Sequence, residues 1–302
     1  MRRHYMKIRR LLAVIFAAAL LLSGCGHGIA PPDVVSMAPE ADIPPERSAY
    51  PVSFDSESFD APPASVASLS PALTEIIFDL GFQDKLVAVS EYRSYPDAAV
   101  SLPKIGSPAK PDIEAIASAA PELLLTQSPI AATDELTLKN AGIRVLRLDY
   151  PDTYAELCDI YIKPSAVFYG AVESDGIARA ALSGLDSAMT AAQQSGASAG
   201  SFVIVEEYAE GGLMLSTGRT LCSDMLSVFG KNMRETEADF YTDDGELFEL
   251  APDTVFYSDK MNEDDIEKVF PHSRLIAVDI ERFERPTARL AAVISECAEK
   301  LG

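Results

Sequence analysis

Val66-Ala67-Ser68-Leu69-Ser70-Pro71-Ala72-Leu73-Thr74-Glu75-Ile76-Ile77-Phe78-Asp79-Leu80-Gly81 is the stretch that decides the fold. Val66–Leu69 is a short apolar run of the length expected for a buried strand. Ser70 then offers a side-chain oxygen to the free N–H groups of a helix start, and Pro71 suits the first helical position. Leu73, Ile76, Ile77 and Leu80 recur at helical spacing, and Gly81 ends the helix. The same strand-then-helix pattern continues downstream. Leu86–Val89 reads as a strand, Ile113–Ala119 as a helix before Pro121, and Leu123–Leu125 as a strand. Glu135–Asn140 reads as a helix stopped by Gly142, and Ile143–Leu148 as a further strand. This alternation predicts a mostly parallel sheet covered by helices on both faces.

The pattern changes at Tyr154. From there to Gln194 no strand is evident, and the Ala-rich run Glu173–Gln194 carries Leu182, Leu185 and Met189 on one face. It reads as one long helix despite Gly176 and Gly184. Alternation then resumes, with strands at Phe202–Glu206, Thr254–Tyr257 and Leu275–Val278 and helices at Leu221–Phe229, Ile266–Phe270 and Thr287–Leu301. The expected class is α/β: two Rossmann-like lobes with parallel sheets, residues 64–152 and 199–302, joined through a helical connector, 153–198, with a long rigid backbone helix. A cleft between lobes is a preferred place for a ligand.

Upstream of the first lobe the chemistry differs. Arg2, Arg3, Lys7, Arg9 and Arg10 precede an apolar run from Leu11 to Leu22, then Ser23-Gly24-Cys25. A basic start, a short apolar stretch and small residues before a cut site make a secretory signal over 1–24. The run falls short of the roughly 20 apolar residues of a membrane span. Cys25 after Leu-Ser-Gly resembles the lipobox of bacterial lipoproteins, whose thiol receives a diacylglycerol, and so is the expected lipidation site. The implied location is extracytoplasmic, lipid-anchored to the cell membrane. Residues 26–63, with Pro31-Pro32, Pro39, Pro44-Pro45, Pro51 and Pro62-Pro63 and no apolar periodicity, read as an extended, disordered tether. Removing the signal takes away five positive charges, so the formal net charge falls from -21 to -26. Such a surface argues against nucleic acid as a partner and against electrostatic docking on anionic lipid.

Enzyme signatures are missing: there is no Walker A loop, no G-x-S-x-G and no H-E-x-x-H. His272 is the sole histidine beyond the tether and reads as a surface residue, so no His-built metal site is expected. Cys222 and Cys297 either pair, which an extracytoplasmic location permits, or stay as free buried thiols. In so acidic a chain Glu206-Glu207 and Asp243-Asp244 read as solvated surface.

The residues resemble a family. Val66–Glu75, Val89-Ser90-Glu91-Tyr92-Arg93-Ser94-Tyr95-Pro96, Asp112–Ile116 and Pro121–Leu125 are similar to successive segments of the importer binding proteins for vitamin B12, iron siderophores and haem. Leu215–Gly218, Gly230–Asn232 and Glu284–Arg289 continue the match through the second lobe. The first lobe is most similar to the B12 binders. The resemblance implies a monomer that takes a small-molecule metal chelate, a cobalt corrinoid or a ferric chelate, between its lobes. It also implies delivery to an ABC permease with its separate ATPase, with no resident cofactor and no metal site of the protein's own. It places Glu114 and Glu246, with Asp244 as the substitute for the latter, as docking acids for the permease. For the ligand it points to Tyr92, Arg93, Pro108, Gln127, Tyr208, Phe240, Tyr241, Arg282 and Phe283, with Arg219 as a further anion clamp. The chain has no Trp, whereas the B12 binders use Trp at the positions of Pro108 and Gln127. A corrinoid is the favoured ligand. A ferric siderophore or haem is the alternative, and a lipoprotein enzyme on the same scaffold the alternative of another class.

Overall fold

Where the sequence suggests an unbroken tether, the chain already folds. In the computed structural model, which describes residues 49–54, 57–91, 96–209, 212–234, 240–243 and 250–302, strands β1 (Val52–Phe54) and β2 (Glu57–Phe59) form an antiparallel hairpin. Phe59 is fully buried, and Tyr50 donates its hydroxyl to the Val167 carbonyl at 3.0 Å. Residues 49–54 and 57–63, which the sequence assigns to the tether, therefore belong to the folded part. Aromatic anchors within a proline-rich composition are the reason the periodicity missed it. All described residues belong to one contact unit, Pro45–Gly302.

The first lobe is then built from β3 (Val66–Ser68), α1 (Pro71–Asp79), β4 (Leu86–Val89), the short pair β5 (Gly106–Ser107) and β6 (Lys110–Pro111), α2 (Ile113–Ala119), β7 (Leu123–Thr126), α3 (Ala132–Asn140) and β8 (Arg144–Arg147). Its main sheet has the order β4-β3-β7-β8 and is parallel throughout. Ser70 caps α1 as expected, its hydroxyl accepting from the Leu73 N–H at 3.4 Å. Leu73, Ile76 and Ile77 bury one face of that helix with Val66, Leu123 and Leu125. The other sheet face, Ala67, Ala88 and Leu124, packs on Ile116 and Leu138.

Helices α4 (Tyr154–Tyr169) and α5 (Ser174–Ser195) form the connector. Pro164 inside α4 disguises it in the sequence. The long helix α5 buries Ala178, Leu182, Leu185 and Ala192, while Gly176 and Gly184 face open space and so disturb no contact. Between the two helices, Gly170 has φ +81°, and a Cβ there would stand 2.6 Å from the Ala49 carbonyl oxygen. Only glycine lets the start of the hairpin pass this turn.

The second lobe comprises β9 (Gly200–Ala209), β10 (Gly212–Ser216), α6 (Leu221–Leu226), β11 (Gly230–Asn232), β12 (Phe240–Asp243), β13 (Thr254–Ser258), α7 (Glu263–Val269), β14 (Arg274–Val278) and α8 (Leu290–Leu301). Its sheet runs β12-β10-β9-β13-β14, with β11 also on β9. Strands β9, β11, β13 and β14 are parallel, but β10 runs antiparallel to both its neighbours, β9 and β12, so this sheet is mixed rather than purely parallel. Among the described residues no helix is long and apolar enough to cross a membrane.

Cys158, Cys222 and Cys297 are all free thiols, the last two buried. Burial pushes the Cys297 thiol up to about 12 and Cys222 well above its ordinary value. Since the thiolate is the reacting species, both should resist a thiol reagent in the native protein and titrate only after unfolding, with no reductant needed. Their absence from a denatured titration would show that they pair.

Candidate functional site

In an open parallel sheet, ligands bind beyond the C-terminal ends of the strands. In the first lobe those ends carry Ser70 after β3, Ser90 after β4 and Gln127 after β7. The Ser70 hydroxyl donates to Gln127 Oε1. The Gln127 Nε2 and the Ser90 Oγ are buried and have no hydrogen-bond partner. Ser90 itself is fully buried, its N–H held by the Ser68 carbonyl at 2.9 Å. Native proteins pair more than about nine in ten buried polar groups, so two orphans on the strand ends either side of β3 mark this edge.

The second lobe brings its own strand ends to α1 of the first. Lys260 follows β13, and Asp279 with a 3-10 turn, Ile280–Glu284, follows β14. Together with Glu75 of α1 and Arg285 they line an interlobe cavity of about 410 Å3. Arg282 is held by Asp279 at 2.8 Å and lines this cavity too. A neighbouring cavity of about 260 Å3 is lined by Tyr150, Glu206, Arg219, Cys222, Phe283 and Glu284. Tyr150, just past the first lobe's β8, donates its hydroxyl to the Phe283 carbonyl and so bridges the lobes there. Desolvation, with Glu284 next in effect, pushes its phenol well above the ordinary range.

Glu206 owes its position to a β-bulge. Leu215 lies opposite Val205 and Met214 opposite Glu207, which leaves Glu206 as the extra residue. Its carboxyl turns into the cavity, where burial raises its pKa against a hydrogen bond from Ser216, and Glu284 and Glu207 raise it further. The reading of Glu206 as solvated surface is therefore overturned. The bulge also shifts the alternation beyond it. Tyr208, expected in the cleft, is half-exposed and donates to Asp265 of α7 at 3.1 Å instead.

The lobes are stitched beside these cavities. The Glu75 carboxylate, 1 % exposed, meets Arg289 at 3.4 Å and accepts from the Thr287 hydroxyl at 3.2 Å. Tyr161 of α4 donates to Asp79 of α1 at 2.7 Å and accepts the Ala288 N–H at 2.7 Å.

Of the expected ligand residues, Arg282 and Phe283 line these cavities, with Arg219, while Gln127 sits at the end of β7 and lines neither. Pro108 lies in the half-buried turn between β5 and β6. Phe240 and Tyr241 sit on edge strand β12, opposite Ser216 and Leu215, with side chains outside the described residues. Tyr92, Arg93, Asp244, Glu246 and Cys25 also lie outside them. Glu114 is exposed in the first turn of α2, whose N-cap Asp112 accepts from Ala115 N–H at 2.9 Å. Ser90, Tyr150, Glu206 and Glu284 were not anticipated. No group of three His, Cys, Asp or Glu able to hold a metal occurs among the described residues.

The match to the periplasmic binding protein family spans residues 66–277, from β3 through both lobes into β14. The chain belongs to that family. This binding protein is 25% identical to an uncharacterized ABC transporter substrate-binding lipoprotein, YvrC, of Bacillus subtilis, over 96% of this chain and 95% of that one. A shorter stretch, 22% of this chain and 24% of the relative, is 43% identical to a vitamin B12-binding protein of Vibrio vulnificus. Among solved structures, the periplasmic vitamin B12 binding protein BtuF of Vibrio cholerae superposes with a TM-score of 0.64 at 20% identity, covering 80% of this chain and 97% of that one. The haem-binding protein RhuT of Roseiflexus sp. RS-1 gives a TM-score of 0.60 at 18% identity, covering 78% and 97%. These likenesses establish the two-lobed fold.

Proposed function

We propose that this protein is the lipid-anchored, extracytoplasmic capture component of an ABC importer and that it holds a corrinoid between its lobes. The observation that carries the choice of ligand is the charge balance of the cleft. Around the two cavities carboxylates match or exceed cationic side chains, and Arg282 and Arg289 are already engaged by Asp279 and Glu75. A ferric siderophore or the carboxylates of haem would call for cationic clamps with no acid beside them. An uncharged, amide-decorated corrinoid suits a balanced cleft and the neutral Ser90 and Gln127 edge. The metal travels inside the ligand, so no resident cofactor is required, and the protein hydrolyses nothing. The local likeness to a B12-binding protein supports the same choice.

The direct test is the absorption spectrum of the soluble domain after mixing with cyanocobalamin, ferric siderophores or hemin and gel filtration. Stoichiometric retention of cyanocobalamin alone is the expected result; retention of hemin or a siderophore instead would overturn the corrinoid assignment. In this reading Glu114 is one of the acids that dock the permease. Glu114→Arg should lower uptake in cells about tenfold or more, as charge reversal at a docking rim does, while leaving ligand affinity unchanged. A loss of affinity would place Glu114 in the ligand site.

A further inference from the structure

We propose that Tyr161, a connector residue that lines neither interlobe cavity, is a positioning residue for the larger one and holds its two walls at a fixed spacing through a single hydroxyl. The inference rests on the reading of that cavity as part of the ligand cleft and adds to it how the cleft keeps its width.

The walls come from different lobes. Glu75 on α1 contributes to one, and Thr287, Arg289 and Leu290, where α8 begins, contribute to the other. Tyr161 is fully buried on α4 and bonds to both elements. Its hydroxyl donates at 2.7 Å to the carboxylate of Asp79, one turn beyond Glu75 on α1. The same oxygen accepts at 2.7 Å the N–H of Ala288, which stands between Thr287 and Arg289. One atom thus ties α1 to the stretch that forms the opposite wall.

The contacts that Glu75 itself makes across the seam are longer, 3.2 Å to Thr287 and 3.4 Å to Arg289. A hydroxyl donating to a carboxylate at such short range makes one of the stronger hydrogen bonds. Burial and the Asp79 carboxylate hold the Tyr161 phenol far above its ordinary value, so the donated proton stays on it. Its lone pairs are then left to accept the Ala288 N–H. A buried phenol oxygen deprived of a partner is destabilising, so moving either wall is opposed. The spacing is therefore set before a ligand arrives, and a preorganised site loses less of its binding energy to ordering.

The test is a double-mutant cycle on the purified protein. Tyr161→Phe keeps the ring and severs both bonds. Asp79→Ala severs one, and because Asp79 is otherwise exposed it disturbs little else. Either break unties the walls. Each single variant and the double variant should therefore lose cyanocobalamin affinity by the same factor, roughly tenfold in calorimetry. In the ligand-free variants, amide exchange at Ala288 and its neighbours should quicken by about tenfold or more and stay unchanged in β9 and β13. A merely structural role would make the two affinity losses add and would quicken exchange throughout the protein. Either of those results would overturn the positioning role, as would variants that bind like the wild type. A wild type that retains no cyanocobalamin would overturn the corrinoid reading alone. The exchange pattern needs no ligand and would then decide: quickening confined to the wall upholds the role of Tyr161, and uniform or absent quickening overturns it.

Discussion

Replacing Arg289 with alanine should destabilise the protein by about 3 kcal/mol at neutral pH and by much less near pH 4. The Glu75 carboxylate is 1 % exposed and, among the described residues, meets Arg289 and the Thr287 hydroxyl in hydrogen-bond or ion-pair range. Arg289 is itself partly exposed and the contact is 3.4 Å, so the pair as such contributes little. The cost arises because removing the arginine leaves a desolvated anion with one hydroxyl and the weaker field of Arg285 for company. The pH dependence follows from the direction of the shift. Burial raises the Glu75 pKa above the ordinary glutamate value, and Arg289 pulls it partly back. The folded state thus holds this proton more tightly than the unfolded state, and stability falls as pH rises through the interval between the two values. Losing Arg289 widens that interval upward. The variant's deficit is then absent below the ordinary glutamate pKa and complete above the folded one. Urea unfolding at pH 4 and pH 7.5 reads this directly; an equal deficit at both would mean that Arg289 acts through packing alone. Glu75 belongs to the first lobe and Arg289 to the second, so the same substitution loosens the seam beside the larger cavity.

How much of this was legible in the residues depends on the element. The helix after Ser70-Pro71 was readable because cap, proline and periodicity agree, and the structure starts and caps it there. The long helix α5 was readable because its buried positions keep one face despite two glycines. Strands β10 and β12 were not read, although Gly211-Gly212 between apolar runs is a hairpin signal. At the site, Gln127, Arg282 and Phe283 were reached through family likeness. Ser90 was quoted only as part of a motif, because a serine after a strand has no signature until its hydroxyl is found without a partner. Glu206 reads as solvated surface from composition alone, whereas a β-bulge turns its carboxyl into the cavity. A single inserted residue in a strand reverses which side chains face the core, and no local propensity announces it.

The remaining large effect concerns the tether. Phe59→Ala should lower stability by about 3–5 kcal/mol, the usual cost of emptying a fully buried phenylalanine site. Phe59 is 0 % exposed, and the Arg144 guanidinium stacks 4.4 Å from its ring centroid. Arg144 also donates to the Ser58 carbonyl at 3.3 Å and pairs with Glu122 at 2.6 Å. Glu122 in turn accepts from the Ala64 N–H at 2.8 Å. The last proline-rich residues are therefore bound to the edge of the first lobe by one chain of contacts. A domain beginning at residue 49 should unfold at the same urea concentration as one beginning at 26, and one beginning at 64 at a clearly lower concentration. Equal midpoints for all three would mean that the hairpin is a passive appendage. In the lipid-anchored arrangement proposed above, the expected outcome also shortens the reach of the anchor. An extended proline-rich chain spans about 3 Å per residue, so moving its end from residue 63 to 48 removes up to about 45 Å. In that arrangement the shorter leash would confine the binding domain to a smaller volume above the membrane and would raise its effective concentration at a permease. In the proposed arrangement the residues that anchor the hairpin would thereby also set how closely the domain is held to a permease.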